Sequence, residues 1–183
     1  ESASMLGYNV LITTSNAHDI SELQSLVESN RVDGMLLTRA LEDDRALQYL
    51  SQANFPTALT GTCRYDNIIQ VDTDNEGAAE KMTTLLIGKG FRRFAFLVKD
   101  MSYNVDRKRH EGFCRALIKN GISEKDQLFY NGSIRMEFLD AIIENIISKK
   151  VECIICGDDE ICTMVMSRLQ AEGYRIPKDV AIA

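Results

Sequence analysis

Cys153-Ile154-Ile155-Cys156-Gly157-Asp158-Asp159 runs from an apolar strand straight into two consecutive carboxylates. The residues after it read as a helix, and Gly173 and Pro177 then punctuate a return into a second apolar strand at Val180-Ala181-Ile182. The whole is one βαβ unit. Carboxylates at the C-terminal end of a parallel strand lie where open α/β sheets receive ligands, because loops and helix N-termini line the crevice there. The chain stops inside that second strand, so the expectation is a piece of a larger protein.

Upstream, the same grammar repeats. Tyr8–Thr14 and Val32–Thr38 are expected as strands, separated by a helix over Asp19–Asn30 with Ile20, Leu23, Leu26 and Val27 on one face. A helix over Asp43–Asn54 stops before Pro56, and Thr57-Ala58-Leu59 begins a short strand. Ile68-Ile69-Gln70-Val71 leads into Asp72-Thr73-Asp74-Asn75, whose side chains can cap a helix running to about Gly88.

A second series opens at the strand Phe94–Val98. It continues with a helix from about Asp106 to Asn120, a strand at Leu128–Tyr130, a helix from about Met136 to Lys149, and the unit described first. Strands alternating with helices of this length require mostly parallel sheets covered on both faces. The two series meet near Gly88-Lys89-Gly90-Phe91, which predicts two lobes, residues 1–90 and 91–183, with a cleft between them.

Composition narrows the function. A net charge of -6 argues against this segment gripping a nucleic-acid backbone, which needs a basic face. The odd count of 5 cysteines, scattered through apolar elements, suits reduced thiols in the cytoplasm better than a disulfide framework. No signal peptide or membrane-length apolar run is visible. Cys153 and Cys156 form a C-x-x-C, but residues three apart on a strand point to opposite faces, so a structural role is expected. His18 and His110 lack a second His at ligand spacing, and there is no P-loop, G-x-G-x-x-G or G-x-S-x-G. The sequence offers no catalytic apparatus, metal site or cofactor motif.

Six motifs then occur in register. They are Val32-Asp33-Gly34, Asp74-Asn75-Glu76-Gly77-Ala78, Gly90-Phe91-Arg92-Arg93-Phe94-Ala95-Phe96, Arg109-His110-Glu111-Gly112-Phe113, Asp158-Asp159, and Gly173-Tyr174-Arg175-Ile176-Pro177-Lys178-Asp179-Val180. In order and spacing they resemble the effector-binding core of lactose-repressor/galactose-repressor transcription regulators, over essentially the whole chain. The pattern departs from that family at Phe91, where a His is usual, at Asp158, where an Asn is usual, and at Gly77, one position early.

That resemblance implies a periplasmic-binding-protein-like fold of two Rossmann-like lobes, incomplete at both chain ends. It implies a sugar or nucleobase-like effector in the cleft, a homodimer, and operator DNA reached only through a helix-turn-helix headpiece outside this chain. It also implies that the strand at Val10–Thr13 is the family's second, lacking its internal neighbour. A sugar-binding protein of an importer has the same cleft and stays open as an alternative.

Arg109, three residues before Gly112-Phe113, is the first candidate by the same resemblance. Its planar fork suits hydroxyl pairs or carbonyls, although the run Arg107-Lys108-Arg109 can also be a solvated basic face. Asp158 and Asp159 are paired acceptors suited to vicinal hydroxyls, and Asp159 can instead cap its helix. Thr38 matches a ligand-contacting position of the family. Tyr103 and Ile134 fall on effector-contacting loops or on ordinary surface, and Asp74 is either a contact or a cap.

Overall fold

The computed structural model describes residues 2–14, 19–132 and 136–183. Its elements are helix α1 (Ser2–Met5), α2 (Ser21–Glu28), strand β1 (Met35–Leu37), α3 (Arg45–Gln52), β2 (Thr57–Thr60), β3 (Ile69–Val71), α4 (Asn75–Gly88) and β4 (Phe94–Val98). There follow α5 (Asn104–Lys119), a 3-10 turn at Glu124–Asp126, β5 (Leu128–Asn131), α6 (Met136–Ser148), β6 (Cys153–Cys156), α7 (Asp159–Ala171) and β7 (Ala181–Ile182).

The strands form two parallel sheets, ordered β1-β2-β3 and β5-β4-β6-β7. Numbered from β4, the second order is 2-1-3-4, the start of the flavodoxin-like doubly wound pattern. β4 is its centre because all five residues of Phe-Ala-Phe-Leu-Val are apolar and buried, as a strand covered on both faces requires.

Alternation divides those residues between two cores. Ala95 and Leu97 join Ile154, Leu139, Ile143 and Ile146 of α6, and Ile161, Val165 and Leu169 of α7. Phe94, Phe96 and Val98 join Ile155, Leu86 and Ile87 of α4, and Phe113 and Leu117 of α5. The period of two also separates the cysteines: Cys153 lies in the α4–α5 core and Cys156 packs against the α6–α7 core. They point to opposite faces, as the sequence predicts.

The first sheet is covered on one face. Met35, Leu37 and Leu59 pack toward α2 and α3, where Leu23, Leu47 and Leu50 are buried. Leu36, Ile69 and Val71 on the other face are exposed. The strand expected at Tyr8–Thr14 is not formed: these residues have no regular structure, and Val10, Leu11 and Ile12 are exposed. A strand-like apolar segment becomes a strand only with a ladder partner, and no described residue pairs with this one.

α4 lies directly on α5, and Gly112 is where the two backbones meet. A Cβ on Gly112 would stand 3.0 Å from Ala79 Cβ and closer still to the Glu76 carbonyl oxygen. Gly112→Ala is therefore expected to destabilise by about 1–3 kcal/mol, the usual cost of overpacking. Urea denaturation reads this, and an unchanged midpoint would contradict the close approach.

Candidate functional site

Parallel strands deliver their C-terminal ends to one side, and here both sheets deliver them to the same crevice. β1 ends at Thr38, Arg39 and Ala40, β2 at Gly61 and Thr62, and β3 at Asp72 and Thr73; Lys99 follows β4 and Asp158 follows β6. Together with Tyr103, Asn104, Asp106 and Arg109 from the start of α5, they line a cavity of about 340 Å³. That lies at the small end of the range for ligand pockets.

Contacts stitch one sheet to the other around the cavity. Leu41 and Tyr103 form an antiparallel bridge, the Asn104 N–H donates to the Ala40 carbonyl at 3.2 Å, and Asn104 Nδ2 donates to the Thr62 carbonyl at 2.8 Å. Lys108 Nζ donates to Thr62 Oγ1 at 2.7 Å, and Arg107 pairs with Glu42 at 2.5 Å.

Arg109 is the hub. Its Nε donates to Asn75 Oδ1 at 3.1 Å, and an Nη1 hydrogen goes to the Gly157 carbonyl at the end of β6. Asn75 is itself buried and donates through Nδ2 to Asp72 Oδ1 at 2.9 Å and the Thr73 carbonyl at 3.1 Å. The guanidinium is thus held from α4 and β6, and its remaining donors have no acceptor among the described residues. Gly157 itself lies tight against β4, where a Cβ would stand 2.9 Å from Val98 Cγ1.

Asp158 behaves differently from expectation. It, and not Asp159, caps α7, with Oδ1 accepting the Ile161 N–H at 2.8 Å, while Oδ2 pairs with Lys99 at 2.9 Å. Lys99 also pairs with Glu160, and these two partners raise its pKa. Burial pushes Asp158 upward, but the Ile161 N–H and the Lys99 ammonium outweigh it and hold the carboxyl below its usual range. Asp158 is therefore a fixed anion at the cavity wall.

Asp106 is the reverse case. It is buried, its Oδ2 accepts the Asp100 N–H at 3.2 Å, and burial raises its pKa despite that bond and the positive charges of Arg109 and Arg39; Asp158 adds to the rise. The folded state therefore binds the Asp106 proton more tightly than the unfolded chain. The stability tied to that proton is complete below the ordinary carboxylate pKa of about 4 and is lost as pH rises through the folded value. Asp106→Asn is expected to raise the melting temperature at pH 7, with a gain that shrinks as pH falls toward about 4. Melting curves across that window check it; a gain that grew on acidification would contradict it.

Of the residues singled out from sequence, Thr38, Tyr103, Arg109 and Asp158 are brought together at the cavity. Asp74 and Asp159 do not line it. Asp74 caps α4, accepting the Gly77 N–H at 2.8 Å, and Asp159 is exposed in the first turn of α7. Ile134 lies outside the described residues. Sequence reasoning missed Arg39, Asp72, Lys99, Asn104 and Asp106 as lining residues; Asn75, read from sequence as a cap or a contact, lies at the cavity. Arg39 and Lys99 were detectable, since each directly follows a strand whose end faces the crevice.

Among the described residues, the buried thiols do not form a reactive centre. Burial pushes the Cys114 and Cys153 thiols up to about 12 and Cys156 in the same direction, so these thiols stay protonated. Among the described residues, no group of three or more His, Cys, Asp or Glu could hold a metal ion, and no helix is long and apolar enough to cross a membrane.

Comparison with known proteins agrees with this fold. The sequence profile of the family described as periplasmic binding proteins and sugar binding domain of LacI family matches residues 1–183. Catabolite control protein A of Staphylococcus xylosus is 26% identical over 184 residues, covering 98% of this chain and 56% of that protein. A transcription regulator like protein from Staphylococcus haemolyticus superposes with a TM-score of 0.86 at 27% identity, covering 98% of this chain and 66% of the other. A complex of the transcriptional regulator CelR with cellobiose superposes with a TM-score of 0.75 at 26% identity, covering 88% of this chain and 51% of that one. The chain spans about half the length of the curated relatives it matches.

Proposed function

Since this chain belongs to the family of periplasmic binding proteins and LacI-type sugar-binding domains, we propose that it is the effector-binding and dimerisation core of a cytoplasmic transcription regulator. A sugar binds in the crevice between the lobes, residues 1–90 and 91–183, and no reaction is catalysed. The observation that carries this reading is the convergence of five strand ends from two sheets on one polar cavity, with Arg109 held by α4 and β6 at its wall.

The chemistry suits a polyhydroxylated ligand. Asp158 and Asp72 supply acceptors, Arg109 supplies donors, and the hydroxyls of Thr38 and Tyr103 can do both. A sugar touching both sheets favours the arrangement that brings them together, and a change in lobe arrangement can alter how a dimer presents operator-binding headpieces. Coupling of this kind exists only if the effector binds the two arrangements with different affinity.

A thermal-shift screen of sugars and nucleobases tests the proposal. A ligand at 100 times its dissociation constant stabilises the folded state by about 2.7 kcal/mol. At least one sugar should raise the melting temperature, and a complete absence of response across the panel would overturn the reading.

A further inference from the structure

The charges around the crevice are unevenly satisfied. Lys99 is neutralised by Asp158 and Glu160, and Lys108 lies 3.8 Å from Asp72. Arg39 and Arg109, in contrast, have no carboxylate of a described residue within 4.0 Å.

Arg39 stacks on the Tyr103 ring, 5.3 Å from guanidinium carbon to ring centroid, which orients its plane and leaves its N–H donors without a protein acceptor among the described residues. Arg109 spends its Nε and one Nη1 hydrogen on Asn75 and Gly157. The carboxylates that could have answered them are engaged elsewhere: Asp158 by Lys99 and the Ile161 N–H, Asp72 by Asn75 and the Thr73 N–H, Asp106 by the Asp100 N–H.

Arg39 comes from the end of β1 and Arg109 from α5, so the two guanidiniums reach the cavity from the two sheets. Asp106 feels both charges but forms an ion pair with neither, and two planar donor forks with no paired carboxylate match an oxyanion, which guanidinium binds bidentately and more strongly than it binds a neutral hydroxyl. Resting on the effector-site reading above, we propose that the effector is an anionic sugar, a sugar acid or sugar phosphate, whose oxyanion is held by Arg39 and Arg109. Its hydroxyls face Asp158, Asp72 and Thr38. The anion then supplies the directly paired charge that both arginines lack as water leaves the crevice.

Calorimetry on the protein that carries this chain decides the matter, using matched sets of hexoses and pentoses with their aldonic acids, uronic acids and terminal phosphates. In one set the anionic member should bind roughly tenfold or more tighter than its neutral parent. The carboxylate and phosphate arms separate the two sources of oxyanion. Arg39→Gln should reduce that preference by roughly tenfold. A neutral sugar that binds as tightly as its anionic congeners, or a preference unchanged in Arg39→Gln, overturns the inference while leaving the crevice as the effector site. Failure of every sugar in the panel, neutral and anionic, overturns both.

Discussion

Phe96→Ala is expected to cost about 3–5 kcal/mol, the range for removing a buried aromatic from a packed core. Phe96 sits in the middle of β4 at 1% exposure. Its ring stacks on Phe113 at 4.9 Å and on Phe129 at 6.3 Å, and meets His110 edge-on at 5.7 Å. It therefore joins the sheet to α5, the helix that carries Arg109. His110 takes part as an apolar neighbour, because burial lowers its pKa even with Glu124 and Glu111 pulling the other way. With domain stabilities of about 5–15 kcal/mol, the variant should be marginal and its urea midpoint sharply lower. A loss under about 1 kcal/mol, the level of an unremarkable substitution, would mean that β4 is not the centre of the core.

Arg109→Ala should weaken effector binding by about 1.5–3 kcal/mol, the worth of hydrogen bonds to a charged group, or roughly 10- to 150-fold in dissociation constant. The fold should survive, since Arg109 lies at the cavity wall, outside the two cores of the second sheet. Some loss of order at Asn75 and Gly157 is expected, because both acceptors lose their donor. Arg109→Lys should recover only part of the affinity: an ammonium cannot hold Asn75, Gly157 and a ligand in one plane. Affinity within twofold of the parent in Arg109→Ala would remove Arg109 from the site.

Where burial writes a period into the chain, the fold is legible. Phe94–Val98 and Cys153–Cys156 read as continuous apolar strands because both faces are covered, and both appear at those residues. Helix starts are legible where a side chain caps them, as Asp74 does for α4 and Asp44 does for α3. Tyr8–Thr14 shows the limit: its β-branched, apolar composition is that of a strand, but strand formation depends on a partner elsewhere in the chain, which the local pattern does not encode.

The site is legible to a lesser degree. Arg109 stands out through the family resemblance of Arg109-His110-Glu111-Gly112-Phe113, and Asp158 by following an apolar strand. The division of labour between Asp158 and Asp159 is not visible, because both residue types favour a helix start and the cap is settled by backbone geometry at one residue. Asp106 and Asn75 are hidden for a different reason. Asn75 reaches Arg109 only through the approach of α4 to α5, and Asp106 owes its raised pKa to burial and to Asp158, charges and packing that the local sequence does not encode.

A crystal structure of the protein with its sugar effector bound tests the central claim most directly. The account predicts the ligand in the crevice, hydrogen-bonded to Arg109 from α5 and touching at least one of Thr38, Arg39 or Asp72 from the first sheet. A ligand seated elsewhere, or in contact with residues of one sheet only, would contradict it.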